Sequence, residues 1–66
     1  MNDEMIKQYV EDVIALADEA KGEPDGDFKN GRLLAYNEVL SMLKTDLTAI
    51  GVEKFGLDFD IDKRYI

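Results

Sequence analysis

The only proline, Pro24, lies between Gly22 and Gly26. On both sides of this interruption the apolar residues recur at helical spacing, so the chain reads as two helices joined by a tight turn. Before the turn, Ile6, Val10, Val13, Ala17 and Ala20 make one stripe, widened by Tyr9 and Leu16 on one side and Ile14 on the other. The spacing predicts a helix over 3–21, capped by Asn2 or Asp3 and ended by Gly22 in the left-handed conformation. Residues 22–27 form the turn, and Asp27 is the expected N-cap of a second helix over 28–50. There Tyr36, Leu40, Leu43, Leu47 and Ile50 form the seam, with Leu33 and Val39 beside it. A connection this short favours antiparallel neighbours.

A further apolar line runs along the second helix at sevenfold spacing: Phe28, Ala35, Met42 and Ala49. A two-helix hairpin needs one apolar seam per helix, and this line is surplus. A chain of 66 residues supplies only a small core, and without cysteine or histidine it has no disulfide or Cys/His zinc staple. The expected remedy is a homodimer, an all-α antiparallel hairpin paired into a four-helix bundle. Its interface is assigned to Phe28, Ala35, Val39, Met42 and Ala49.

Residues 52–66 differ. Leu57-Asp58-Phe59-Asp60-Ile61-Asp62 alternates apolar and acidic with period two, the pattern of an extended segment with one buried face. No second strand candidate exists to pair with it. The expectation is an extended C-terminal arm lying on the helices, with Gly51 and Val52 forming a Schellman-type stop before it. The chain is thus one domain, residues 1–66.

The segment Gly31-Arg32-Leu33-Leu34-Ala35-Tyr36-Asn37-Glu38-Val39-Leu40-Ser41, followed by Gly56-Leu57-Asp58-Phe59-Asp60, resembles a loose group of small uncharacterised two-helix proteins of Gram-positive bacteria and their phages. The likeness covers about half the chain. Asn37 and Ile50 stand where that group tends to carry aromatic residues. The resemblance implies a helical fold and a bacterial or phage setting, and it implies no activity.

Charge is placed unevenly. Residues 1–28 hold nine acids and two bases, and residues 29–66 hold six of each, so the net −7 lies in the first half. On the first helix Glu4, Glu11 and Asp18 form an acidic line, with Asp12 and Glu19 beside it. Such a surface repels nucleic-acid phosphates and anionic membranes, which excludes direct binding to either. It suits a basic protein partner, or mimicry of DNA phosphates by an acidic inhibitor of a nucleic-acid-binding protein, as in anti-CRISPR-like phage proteins. The plain reading is solubility, with acids favourable at a helix start.

Catalytic chemistry finds no foothold. Without histidine or cysteine there is no imidazole base and no thiol nucleophile. Asp58-x-Asp60-x-Asp62 has the first half of a calcium loop, but Lys63 stands where the loop needs glycine, and the chain ends before the bidentate acid. The helices lack the paired acidic turns with which helical pyrophosphohydrolases hold magnesium. The expectation is no catalytic, cofactor or metal site and no small-molecule substrate. With neither a secretory signal nor an apolar run of 18 residues, a cytoplasmic location is expected. The function read from the sequence is a non-enzymatic interaction or regulatory module acting as a homodimer, with the acidic mimic as the alternative.

Overall fold

The computed structural model describes residues 2–65. Two long helices, α1 (Asp3–Lys21) and α2 (Asp27–Leu47), lie against each other, followed by a 3₁₀ turn (Val52–Phe55) and a single helical turn, α3 (Ile61–Arg64). The described chain is all-α and contains no strand.

Helix α1 follows its sequence. The Asn2 side chain accepts a hydrogen bond from the Met5 N–H at 2.8 Å, and Asp3 and Glu4 put acids at the positive end of the helix dipole. Val10, Val13, Ala17 and Ala20 are buried and Ile6 is half-buried. The stop differs from expectation. Gly22 has φ −83° and ψ −4°, right-handed values open to any residue. The helix instead tightens into i→i−3 bonds, Gly22 N–H to Glu19 O and Glu23 N–H to Ala20 O, and then meets Pro24. Proline disfavours helical geometry at the residue before it, so the left-handed glycine is not needed.

Helix α2 is shifted from its expected range of 28–50. Gly26, at φ 153° and ψ −176°, occupies the N-cap, and Asp27 is the first helical residue. A side chain at Gly26 would be strained in that backbone region. The regular helix ends at Leu47, where Thr45 and Thr48 donate their hydroxyls to the carbonyls of Ser41 and Lys44. Such back-bonding weakens a helix. The spiral continues loosely as a turn over 48–50, closed by Gly51 N–H to Leu47 O at 3.0 Å. The buried line is Leu33, Leu40 and Leu47; Tyr36 and Leu43 are half-buried, and Ile50 is exposed.

The C-terminal segment is not an extended arm. Gly56 takes the left-handed conformation, φ 77° and ψ 23°, and the bonds Gly56 N–H to Glu53 O and Leu57 N–H to Val52 O complete a Schellman pattern. The motif expected at Gly51 is thus formed five residues later. Asp60 caps α3 by accepting from the Lys63 N–H at 3.2 Å. The alternating acids therefore include a helix cap, and the apparent period of two spans a bend at Phe59 and the start of α3. The burial expected of the apolar residues still holds in part. Leu57 and Ile61 are buried, Phe59 is half-buried, and Asp58, Asp60 and Asp62 are exposed. Phe55 and Tyr65 join them, so this segment contributes four of the eleven buried apolar residues. Ile66, the last residue of the expected arm, lies outside the described residues.

Candidate interaction surfaces

The hairpin has two broad sides, one on each flank of the line Leu33–Leu40–Leu47. The C-terminal segment covers one of them. There Asn37 donates to the Asp62 carboxylate at 3.0 Å and Lys44 donates to the Phe59 carbonyl at 2.7 Å. Across the groove, on α1, Asp18 accepts from the Tyr65 hydroxyl at 2.6 Å and from Arg64 at 3.2 Å. The Arg64 guanidinium lies 4.8 Å from the Phe59 ring centre and 5.3 Å from that of Tyr65, and the two rings meet edge to face at 6.2 Å. Burial, followed by the hydrogen bond to Asp18, pushes the Tyr65 phenol up to about 12. A Lys54–Asp3 ion pair ties the 3₁₀ turn to the start of α1.

This geometry gives one of the docking-face residues a second role inside the fold. Asp18, read as part of the acidic docking face, is the anchor of the C-terminal segment, and its carboxylate is engaged within the fold. Glu4, Glu11, Asp12 and Glu19 are exposed on the outer surface of α1. Among the described residues Glu4, Glu11 and Glu19 make no side-chain hydrogen bond or ion pair, while Asp12 accepts from Gln8 at 2.9 Å.

The other side of the hairpin is bare. Tyr9 and Leu16, placed in the core stripe by spacing, are about half exposed, as is Met5 one turn before Tyr9. None of the described residues covers them, because α2 meets the Val10–Ala17 line and the C-terminal segment lies on the opposite flank. Tyr9 shares a shallow cavity of about 260 Å³ with Val39, Met42, Leu43 and Asp46, which puts the exposed flanks of the two helices on one continuous face. Phe28 is 70% exposed, Met42 65% and Val39 37%, and Ala35 and Ala49 are also exposed. At the turn end, Arg32 pairs with Glu23 at 2.6 Å and lies 5.9 Å from the Phe28 ring centre.

No protein-family model, curated protein or solved structure matches the chain. The function therefore has to be argued from these two faces. Among the described residues no group of three or more acids is placed to hold a metal ion. No described helix is long and apolar enough to cross a membrane. An open cleft of about 480 Å³ lies between Asn30, Leu33, Leu34, Asn37, Asp62 and Tyr65, where α3 meets α2.

The sequence gives no sign of the Asp18–Arg64–Tyr65 cluster, because Asp18 lies more than forty residues from the other two and shares no motif with them. The exposure of Met5, Tyr9 and Leu16 had a readable signal. These three fall on one edge of the α1 apolar arc, and only an arc wider than one neighbour can cover needs a second partner.

Proposed function

We propose that this chain is a non-enzymatic protein-interaction or regulatory module that works as a homodimer, two hairpins joined into a four-helix bundle. The observation that carries the reading is the bare apolar side. Counting about 200 Å² of accessible surface for a large side chain, Met5, Tyr9, Leu16, Phe28, Val39 and Met42 together present roughly 650 Å². That exceeds the largest patch on most soluble monomers, about 300–600 Å². It approaches the ≈800 Å² that each partner contributes to a standard stable interface. The C-terminal segment closes one side of the hairpin and a second copy closes the other. A bacterial or phage setting and a cytoplasmic location go with this reading.

Regulation then falls to the surfaces the dimer leaves free. The outer face of α1, with Glu4, Glu11, Asp12 and Glu19, is the docking surface for a basic protein. The exposed, unpaired carboxylates of Glu4, Glu11 and Glu19 also favour a second reading, an acidic inhibitor that occupies the nucleic-acid site of another protein. Competition by DNA for the bound partner separates the two.

Sedimentation equilibrium tests the dimer directly. The expected species at micromolar concentration has twice the 7.5 kDa chain mass. Met42→Glu puts a charge in the bare face and is expected to return the protein to monomer with its helical content intact. A wild-type chain that stays at 7.5 kDa overturns the reading.

A further inference from the structure

Resting on the homodimer reading, we infer that the second copy docks α2 against α2 in an antiparallel arrangement, in one register set by side-chain size. The two-fold axis crosses the helix beside Glu38 and Val39. Phe28, Ala35, Met42 and Ala49 recur every seven residues along α2 and are all exposed. Large and small side chains alternate along this line. A two-fold axis perpendicular to the helix, midway between Ala35 and Met42, sets Phe28 opposite the partner's Ala49 and Met42 opposite the partner's Ala35. Every large side chain then meets a small one, the condition for close interdigitation without voids or overlap.

The alternative symmetric arrangement fails the same criterion. A parallel, in-register pair sets Phe28 against the partner's Phe28 and Ala35 against the partner's Ala35. Overlap and void then alternate along the seam, and the helices cannot approach evenly.

Charge points the same way. Arg32 and Asp46 lie on the same flank of the line, near opposite ends of α2. The antiparallel register brings Arg32, already paired with Glu23 through one guanidinium nitrogen, beside the partner's Asp46 as a second carboxylate, within one residue along the axis, twice by symmetry. The parallel register puts each Arg32 and its copy on opposite flanks of the seam and leaves every Asp46 about 20 Å along the axis from an Arg32, so no such pair forms. Asp46 makes no side-chain hydrogen bond or ion pair among the described residues, so its carboxylate is free for the contact. On the flank opposite Val39, Glu38 comes as close to its own copy as Val39 does, a like-charge contact eased by the exposure of that flank to solvent.

Cysteine cross-linking reads the register, since the chain has no cysteine of its own. With packed helices about 8–10 Å apart, Val39 on the axis comes within ~5 Å Cα–Cα of its copy, inside disulfide range. Ala35 and its copy are separated by about 10 Å along the axis, out of range. Val39→Cys should give a disulfide dimer under mild oxidation, and Ala35→Cys alone should not. A mixture of Ala35→Cys and Met42→Cys chains should give the heterodimeric link. A size swap supplies a check independent of cysteine. Ala35→Met should weaken the dimer about tenfold or more, and adding Met42→Ala should restore it to within about threefold. Self-linking by Ala35→Cys, or a swap that does not compensate, overturns the register while the sedimentation mass leaves the homodimer standing. A wild-type monomer overturns both.

Discussion

At the scale of single residues, Asp18 and Tyr65 hold the most consequential contact in the fold. The Tyr65 ring is fully buried and its hydroxyl has one partner, the Asp18 carboxylate at 2.6 Å. Asp18→Ala leaves that hydroxyl buried and unsatisfied, a loss of about 1–3 kcal/mol. Tyr65→Phe removes the donor but leaves Asp18 part-exposed beside Arg64, so its cost should fall nearer 1 kcal/mol. Urea denaturation of the two variants checks the order. The same contact dictates a pH dependence. The Tyr65 phenol has a raised folded-state pKa, about 12 against 10.0. A raised value means the stabilisation is complete below pH 10 and is lost as pH climbs from about 10 to about 12. Stability measured across that window should fall in the wild type, and the part of the fall due to this group should be absent in Tyr65→Phe.

At the scale of elements, α1 was legible almost to the residue, because an N-cap, first-turn acids and a 3–4 apolar pattern agree with one another. The C-terminal segment was not. Leu57 to Asp62 alternates with period two, yet Asp60 serves as a helix cap and Gly56 as a left-handed stop. A six-residue alternation cannot distinguish a strand from a bend that leads into a capped turn. What survived the misreading was the partition of the apolar residues inward and the aspartates outward, since burial depends on side-chain chemistry more than on backbone path. The glycines allow a test with opposite signs. At Gly56, φ 77°, an added Cβ meets no atom within 4 Å, so Gly56→Ala incurs only the left-handed backbone cost of about 1–2 kcal/mol. Gly31 lies inside α2 with equally open space around it. Gly31→Ala should therefore stabilise by about 0.5–1 kcal/mol. Denaturation at one fixed protein concentration compares them. Equal effects of one sign would mean that the Schellman stop at Gly56 is not formed.

At the scale of the whole molecule, the described chain is a rod of 37 × 18 × 14 Å with one side closed by its own C-terminal segment and one side bare. The exposed apolar line Phe28, Ala35, Val39, Met42 and Ala49 was legible as surplus to a two-helix hairpin. The share of α1 in that face was legible only as an arc too wide for one neighbour, since spacing alone places Tyr9 and Leu16 equally well in a core. Which flank is covered is decided by the C-terminal segment, through contacts far apart in sequence. Charge then separates the two kinds of association. Each chain carries −7, most of it on α1 and the turn, so a dimer concentrates twice that charge on one body. Joining two like-charged bodies is opposed by repulsion that acts over the Debye length, about 30 Å at 0.01 M salt and 10 Å at 0.1 M. At low salt this range matches the length of the rod; at higher salt it falls below the rod's width. Raising salt from 0.01 to about 0.3 M should therefore tighten the homodimer severalfold, since the apolar seam itself is not weakened by screening. A basic partner on Glu4, Glu11, Asp12 and Glu19 should respond in the opposite sense, weakening as its attraction is screened. Sedimentation of the protein alone across that salt series reads the first effect. A dimer that loosens with salt would place charge pairing, rather than the Phe28–Met42 line, at the centre of the interface.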